Sequence, residues 1–411
     1  MSNSSNLTRR RLLTMIGAAA AAPPALAQVD WSKQRIKPSH YATGWSPGPH
    51  PMAAETFVID GVAHCYNHAA WNRRIPRPAV TTTNNSYKYH EDSTPARYRL
   101  TYEEYRRDWQ PDETADVMFL ESHTDVMCMH SVPMYDTYWD GLVSNEKGAY
   151  LKGKYPQRVL WYGAIDMFDS FANITARIDQ LIAQGCDGIK FYPMRTNAKT
   201  KQSESWFMDD AKLAFPVFEY CLDKGMKQLA VHKLSGWVDG KTPALGINDI
   251  HKAAAAFKDI TFHVVHAGEY LFEQQVELMR KHENVTAVME GPMLFGLYDK
   301  EFFDGMMSIF MRKLDVDRMI YASTSPNQHP YWIVNHFFDY KAPKGANWSV
   351  TDEQKAKILG LNLARYHGID PASRKAALRN DKFGVELRQH GLREPYIEQR
   401  RARDPNSDRV A

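Results

Sequence analysis

The sequence VIDGVAHCYNHAAWNRR, from Val58 to Arg74, begins as an apolar, strand-like run and ends in polar side chains. Asp60 lies within the run, His64 follows four residues later, and His68 lies four residues beyond that. Two interpretations are open: a metal site at the end of a strand, or a polar loop that leaves a buried strand. A metal site needs further nitrogen and oxygen donors from other segments, so the rest of the chain decides between them.

A short apolar run followed by an amphipathic helix recurs along the chain from residue 56 onward. Nine runs are predicted to be strands: TFVID, ADVMFLE, TDVMCMH, RVLWYGAID, GIKFYP, QLAVH, ITFHVVHAG, VTAVMEG and RMIYAST. Alternating strands and helices, with about eight units over roughly 300 residues, predict a parallel α/β protein of the (β/α)8 TIM barrel type. A doubly wound open sheet is the alternative, but no glycine-rich phosphate loop follows the first strand.

The helices between these runs have recognisable ends. In ANITARIDQLIAQG and DDAKLAFPVFEYCLDKG, Asn173 and Asp209 are predicted N-caps, and Gly185 and Gly225 are predicted C-caps. Near the end of the barrel, SVTDEQKAKILGLNLARYHGI is predicted to be one more helix. These caps support the alternation of strand and helix.

The first 28 residues have the features of an export signal. Arg9 and Arg10 precede a short apolar stretch that ends in small residues, which is typical of a twin-arginine signal peptide. A membrane anchor is the alternative, but the stretch is short for a bilayer span and contains two prolines. We therefore expect a periplasmic protein, exported after folding and free of the membrane once the signal is removed.

The remaining segments surround a barrel at residues 56–368. Residues 29–55 form a polar N-terminal arm rich in proline. Residues 69–112 are an insertion after the first strand, which we expect to lie over the C-terminal face of the barrel as a lid or a subunit contact; a surface loop without a role is the alternative. Residues 369–411 are a charged, extended C-terminal tail, which we expect to wrap a neighbouring subunit or to stay mobile.

Composition narrows the range of partners. A net charge of +3 without dense basic runs in the body of the chain argues against nucleic acid as a partner. The cysteines match no zinc-binding spacing and are expected to be small buried apolar residues; they are Cys65, Cys128, Cys186 and Cys221. We expect a small-molecule substrate and a homo- or hetero-oligomer.

Polar residues end most of the apolar runs, where a barrel carries its chemistry. Imidazoles and carboxylates predominate among them, and these are the donors that bind zinc, manganese or iron. A single histidine at a strand end is more often hydrogen-bonded than a ligand, but their recurrence at corresponding positions favours a metal site. The set comprises Asp60 with His64, then Glu121, Asp166, Lys190, His232, His266, Glu290 and His329.

Strand geometry separates neighbouring candidates. His263 and His266 are three residues apart, so on a regular strand they point to opposite faces, and His266 is the better ligand. The same alternation favours His232 over Lys233. Lys190 is either one half of a salt bridge or a buried cation that polarises the substrate. We expect His68, His123 and His130 to support the site or to lie at the surface.

Nucleophilic catalysis is a competing hypothesis with little support in the sequence. No GxSxG motif is present, and Ser323 is the one serine that ends a strand-like run near a candidate histidine. Cys65 is adjacent to His64, so the two side chains point in opposite directions on a strand. A thiol or serine hydrolase is therefore less well supported than a metalloenzyme.

These motifs resemble the amidohydrolase-related branch of the metal-dependent hydrolases, which includes the aminocarboxymuconate semialdehyde decarboxylase type. The resemblance covers about residues 56 to 368 and implies a distorted TIM barrel with one or two metal ions. Two positions depart from the family pattern. Val62 replaces the first histidine of Asp-x-His-x-His, and Ala322-Ser323-Thr324 lacks the aspartate that usually ends the last strand.

A subgroup that contains isobutylamine N-hydroxylase-type iron oxygenases and thioester hydrolases is also similar. The matching segments are His64-Cys-Tyr-Asn67, Val288-Met-Glu290 and His329-Pro330, and Glu121 lies in a similar second-strand region. This resemblance implies rearranged ligands, with Glu290 and His329 in place of the missing aspartate.

The sequence therefore predicts an exported, metal-dependent hydrolase that acts on a C–N, ester, thioester or carboxyl-type bond of a small organic substrate. The predicted catalytic residues are Lys190, which would stabilise negative charge, and Asp60 or Glu290, which would handle the proton. The predicted ligands of one or two Zn, Mn or Fe ions are His64, Glu121, His232, His266, Glu290 and His329. The alternatives are a dinuclear non-haem iron oxygenase and a metal-free partner of an active paralogue.

Overall fold

The computed structural model describes residues 48–401, except for residues 198, 201, 235–242 and 294–298. The expected signal peptide and most of the expected N-terminal arm lie outside the described residues. Within them, no helix is long and apolar enough to cross a membrane.

The central sheet consists of eight parallel strands, which pair in the order in which they occur along the chain. A separate antiparallel hairpin consists of β5 (Met194–Thr196) and β6 (Ser203–Ser205). The strands of the sheet are β1 (Ile59–Ala63), β2 (Val126–His130), β3 (Val159–Ala164), β4 (Gly188–Phe191), β7 (Gln228–His232), β8 (Thr261–Val265), β9 (Val285–Val288) and β10 (Met319–Ile320).

Backbone hydrogen bonds join the two edges of this sheet into a barrel. The Gly61 N–H donates to the Tyr321 carbonyl at 2.9 Å, and the Thr324 N–H donates to the Val62 carbonyl at 2.9 Å. A Cβ at residue 61 would lie 2.7 Å from the Tyr321 oxygen, so the close approach requires glycine. The prediction of a (β/α)8 barrel is confirmed.

The strands are apolar on both faces, because other apolar side chains pack against each face. In β2, Met127 and Met129 join the large cluster between strands and helices, whereas Val126 and Cys128 join a smaller cluster with the closing C-terminal helix. Successive side chains of a strand point to opposite faces, which explains this alternation. Parallel strands covered on both faces are typically continuous apolar runs, as here.

Helices follow the strands as predicted, with differences at their starts. The helix of ANITARIDQLIAQG begins at Phe171 with Ser170 as its N-cap, not Asn173. The next helix begins at Ala214, so Asp209 does not cap it. The C-cap residues are Gln184 and Lys224, and the predicted Gly185 and Gly225 follow them at the next position with φ of 85° and 76°. The outer helices are Asn145–Lys154, Phe171–Ala183, Ala214–Asp223, Ile250–Ala256, Phe272–Lys281, Lys300–Lys313 and Pro330–Asp339.

The prediction that ADVMFLE is a strand is wrong. The segment belongs to the helix Pro111–Leu120, which begins with a capping box between Gln110 and Glu113. Glu121 is therefore at the C-terminal end of a helix and not at the end of a strand.

The insertion after β1 is largely helical. Its main helix spans Pro76–Ser93, and shorter turns lie at Ala70–Asn72, Ala96–Tyr98 and Tyr102–Tyr105. A short helix at Pro51–Glu55 precedes the barrel.

The C-terminal segments pack against their own barrel up to residue 401, and the expected contact of this tail with a neighbouring subunit stays a prediction. A continuous helical stretch over Asp352–Ala356, Lys357–Leu361 and Asn362–Tyr366 closes the barrel, and Thr351 caps it. Three further helices follow at Pro371–Leu378, Lys382–His390 and Ile397–Arg401. Tyr396 is fully buried and the Arg158 guanidinium is paired with Asp381, so specific contacts hold the charged segment in place.

Candidate functional site

A cavity of about 310 Å³ opens at the C-terminal end of the barrel. Residues that follow β1, β2, β4, β7, β8, β9 and β10 line it, together with one face of the insertion helix Pro76–Ser93. The side chains include His64, Tyr66, Thr82, Asn85, Ser86, Tyr89, Met134, Lys190, Tyr192, His232, His266, Glu269, Glu290, Thr324 and Asn327. The insertion therefore lies where the sequence analysis expected it, over the mouth of the barrel.

His64 is fixed in one ring orientation. Its Nδ1 lies 3.0 Å from the His130 carbonyl oxygen, which only accepts, so Nδ1 carries the proton. Nε2 then points towards Glu290, with 3.8 Å between Nε2 and Oε1. Tyr66 stacks on the ring at 4.8 Å. His130, expected to support the site or to lie at the surface, is buried and supports it through its backbone.

Glu290 is one of two buried carboxylates that line the cavity; Glu269 is the other. Burial raises its pKa, but His266, His64 and Lys190 outweigh burial and hold the pKa well below the ordinary value of a glutamate. The carboxylate is therefore ionised at neutral pH. The His64 Nε2 and the Glu290 carboxylate are therefore a nitrogen and an oxygen donor that face the same small space.

His232 and His266 meet across the ends of β7 and β8. The His232 Nδ1 lies 3.1 Å from the His266 Nε2, and the rings are 4.5 Å apart in an edge-to-face arrangement. Burial and then the neighbouring His266 lower the pKa of His232 well below its usual value. Burial also lowers the pKa of His266, while Glu290 opposes this effect. Burial therefore favours the neutral form of both imidazoles, which is the form that coordinates a metal ion.

Lys190 supplies a buried positive charge to the same end of the cavity. It is 1% exposed, and its ammonium lies 5.8 Å from the ring centre of Tyr192. Burial lowers its pKa to about 8, although Glu290 acts in the opposite direction. The group is therefore mostly cationic at pH 7 and attracts an anionic ligand atom.

A hydrogen-bonded network beside His64 involves residues that sequence reasoning missed. The Asn327 amide donates to the Tyr66 hydroxyl at 3.1 Å, and its oxygen accepts from the Tyr105 hydroxyl. The Asn327 carbonyl accepts from His90 on the insertion helix at 2.7 Å. Burial raises the pKa of Tyr66 well above 10, so its hydroxyl remains protonated and can donate to a ligand. Glu269, three residues beyond His266, was also missed; only its place at a strand end signalled it.

Asp60, predicted to be catalytic, does not line the cavity. Its carboxyl group accepts from the Ser323 N–H at 2.9 Å, the Val62 N–H at 3.3 Å and the Tyr321 hydroxyl at 3.3 Å. These contacts join the first strand to the last. Asp166, another strand-end carboxylate, also lies outside this cavity and is 3.7 Å from Arg195.

Glu121 and His329, predicted to be metal ligands, form a separate buried pair. The His329 Nε2 lies 3.1 Å from the Glu121 Oε2, which also accepts from the Tyr396 N–H at 2.7 Å. Neither side chain lines the cavity, and each lies at a helix end. The sequence placed Glu121 at the barrel mouth because the helix Pro111–Leu120 was taken for a strand. The end of this helix places Glu121 outside the cavity.

The chemistry of the cavity fits a divalent metal ion. His64 and Glu290 supply a nitrogen and a carboxylate oxygen 3.8 Å apart, oriented towards each other. The His130 carbonyl holds the His64 ring as a supporting group would in a metal site. Among the described residues, no group of three or more His, Cys, Asp or Glu side chains is already arranged around one point. In this structure the His232 and His266 rings bind each other instead.

Comparison with known proteins places the chain in a class. An amidohydrolase family model matches residues 115–368, which is 254 of 411 residues. The chain therefore belongs to the amidohydrolase family, whose members are typically enzymes that depend on divalent metal ions. No match was found among curated proteins.

Several solved structures are similar to this chain at low sequence identity. An uncharacterised TIM-barrel protein from Bordetella bronchiseptica has a TM-score of 0.53 and 17% identity over 78% of this chain and 99% of its own. A 2,6-dihydroxybenzoate decarboxylase from Rhizobium has a TM-score of 0.49 and 13% identity over 76% and 99%. A probable 2-pyrone-4,6-dicarboxylic acid hydrolase from Acinetobacter baumannii has a TM-score of 0.48 and 11% identity over 76% and 99%.

Proposed function

We propose that this protein is a metal-dependent hydrolase that cleaves a C–N, ester, thioester or carboxyl-type bond in a small organic substrate. The observation that supports this proposal is the convergence of three imidazoles, an ionised carboxylate and a buried ammonium at one end of a cavity. The cavity volume, about 310 Å³, suits a small substrate.

His64 and Glu290 would hold the metal, with His232 and His266 as the neighbouring nitrogen donors. A bound divalent ion would polarise the scissile carbonyl and lower the pKa of a water molecule towards neutrality. The donor set of imidazole and carboxylate accommodates Zn, Mn or Fe. Burial keeps both donors of the His232–His266 pair neutral, as metal coordination requires.

Lys190 would bind the oxygen on which negative charge develops. Its ammonium is buried and close to Glu290, so water competes little with a substrate oxygen. Tyr66, which also lines the cavity, would donate a second hydrogen bond, because the Asn327 amide already occupies a lone pair of its hydroxyl. The two donors together would orient the substrate.

Glu290 is the carboxylate placed to accept a proton from the attacking water. It is ionised because neighbouring cations and imidazoles outweigh its burial. Thr324 stands where the family pattern has an aspartate, and Glu290 would take over this step because, unlike Glu269, it lies next to the His64 ring. Asp60 would instead maintain the closure between the first and last strands.

The test combines metal analysis with a substrate panel. Protein purified without chelators is loaded with Zn, Mn or Fe and assayed against small amides, esters, thioesters and carboxylates by mass spectrometry. We expect Glu290→Gln to lower both metal content and turnover, and Lys190→Met to lower turnover by roughly 10²- to 10³-fold with metal content unchanged. Glu277→Gln and Lys212→Met, both on exposed residues, are the matched controls.

Two results would refute the proposal. One is metal content below roughly a tenth of an equivalent after loading, since a dedicated site should retain its ion. The other is substrate-dependent oxygen consumption that requires a reductant, which would support the iron oxygenase instead. Release of CO2 without hydrolysis would be consistent with the metal site but would show that the reaction is a decarboxylation and not a hydrolysis.

A further inference from the structure

A second cavity lies at the opposite end of the barrel. Its volume is about 480 Å³, and it lies between the starts of β2 and β3 and the first two helices of the C-terminal segment. None of its residues lines the cavity at the barrel mouth. It is lined by Ala54, Ser122, His123, Thr124, Asp125, Arg158, Lys375, Leu378, Arg379, Gly384, Leu387, Arg388, Gly391 and Leu392.

Two ion pairs account for the acidic groups at this cavity. The Arg158 Nε and Nη2 donate to the two oxygens of Asp381 at 2.6 and 3.0 Å. The Lys375 ammonium donates to the Asp125 carboxylate at 3.0 Å and to the Thr56 carbonyl at 2.7 Å. Each pair is internally neutral, so these four groups contribute no net charge. They attach the C-terminal helices to the bottom of the barrel.

Two further arginines have no acidic partner in the described part of the chain. Arg379 follows the helix Pro371–Leu378, Arg388 lies on the helix Lys382–His390, and both side chains are exposed. Both line the cavity, which therefore carries an excess of two positive charges. His123 adds no charge near neutral pH, because burial and then Lys375 lower its pKa to about 4.

We propose that this cavity binds a small dianion, either inorganic phosphate or a short dicarboxylate, between Arg379 and Arg388. A guanidinium presents paired N–H groups that match carboxylate and phosphate oxygens, so two of them suit two negative charges. The cavity is also lined by the apolar side chains of Leu378, Leu387 and Leu392, which would accommodate the carbon chain of a dicarboxylate. A bound anion would join the two C-terminal helices that carry the arginines.

This site is independent of the proposed hydrolase chemistry, because its residues and the catalytic residues lie at opposite ends of the strands. Asp125 and Arg158 precede β2 and β3, whereas Lys190 and His232 end β4 and β7. Loss of anion binding and loss of catalysis are therefore separable by mutation.

The experiment is titration calorimetry of the full chain with phosphate and with succinate at constant ionic strength, with acetate as the monoanion. We expect saturable binding of one dianion per chain and weak or absent binding of acetate. The double variant Arg379→Ala/Arg388→Ala should weaken the dianion affinity by about tenfold or more. Arg77→Ala/Lys212→Ala removes two exposed cations elsewhere and should leave the affinity unchanged.

Lys190→Met separates this site from the barrel mouth, where an anion is also attracted. If Lys190→Met abolishes binding while the double arginine variant retains it, the anion binds at the mouth and the proposal fails. If the control Arg77→Ala/Lys212→Ala weakens the dianion affinity as much as Arg379→Ala/Arg388→Ala does, the effect is that of overall charge, and the proposal also fails. Absence of saturable binding of both dianions would refute it directly. The arginines are exposed, so thermal unfolding of the double variant should match that of the control and exclude misfolding.

Discussion

The side chain of Asp60 shows how the environment of one residue changes its chemistry. It is fully buried, and its acceptors are used by Ser323, Val62 and Tyr321. Burial raises its pKa to about 7, although these hydrogen bonds oppose the effect. The carboxyl group is therefore partly protonated near neutrality, and it acts on stability and not on the substrate.

The first prediction concerns the variant Asp60→Asn. Because the pKa of this acid is higher in the folded state than the 3.8 of an ordinary aspartate, the native protein holds the extra proton between these values, and stability falls as pH rises. Relative to Asp60→Asn, the free energy of unfolding of the wild type should fall by up to about 4 kcal/mol between about pH 4 and pH 8. Urea unfolding at several pH values measures this difference.

The comparison variant is Asp92→Asn, on an exposed residue of the insertion helix. It should show no comparable pH-dependent difference from the wild type. A difference between wild type and Asp60→Asn that is constant across pH would contradict the raised pKa.

At the scale of single residues, the sequence predicted which strand-end side chains line the cavity, but not the polar network beside them. His64, Lys190, His232, His266 and Glu290 line one cavity because each ends a parallel strand, which alternation alone could establish. The network through Tyr66 and Asn327 could not be predicted, since it depends on a loop beyond the last strand and on a distant helix.

At the scale of secondary-structure elements, the closing helix depends on a glycine. Gly360 lies in the π-helical turn Lys357–Leu361, which packs against the start of β1. A Cβ there would lie 2.0 Å from the Phe57 carbonyl oxygen and 3.0 Å from the Ile59 nitrogen. These are backbone atoms, which cannot move away as a side chain can.

The second prediction is that Gly360→Ala destabilises the protein by roughly 3 kcal/mol or more, because the closing helix and β1 must separate. Gly153→Ala is the matched control, since Gly153 is also in a helix but a Cβ added there would meet no atom within 4 Å. The Gly153→Ala variant should leave the stability of the protein unchanged or raise it by about 0.5 kcal/mol. Thermal unfolding measures both changes; equal effects of the two variants would contradict the close approach.

Elements were predicted where the apolar run and the turn residues agreed. The error at ADVMFLE arose because a short apolar run does not distinguish a strand from a buried helix. The sequence before it carried the missed signal: Gln110, Pro111 and Glu113 form a helix start with a capping box. This one error also placed Glu121 at the wrong site.

At the scale of the whole molecule, the C-terminal segment completes the barrel from outside. The Tyr396 ring lies 6.1 Å from that of Trp109 and 5.0 Å from that of His329, and its hydroxyl donates to the Pro326 carbonyl. These contacts join the tail to the loop that carries Asn327 into the cavity. They could not be read from a charged sequence of low apolar content, because a few separate buried side chains, Leu378, Phe383 and Tyr396, and the ion pair of Asp381 with Arg158 position the segment.

The third prediction is that Tyr396→Ala undocks this segment and loosens the cavity wall behind it. Removing a fully buried aromatic side chain should cost about 3 to 5 kcal/mol and leave the buried Glu121–His329 pair accessible to water. Hydrogen exchange should then accelerate both in the C-terminal segment and in residues 323–329, because the same ring supports both. Tyr150→Ala, at a residue 46% exposed, is the control and should change neither. Faster exchange confined to the C-terminal segment would show that the loop holds its position without the tail, and that the wall of the cavity depends on the barrel and the insertion alone.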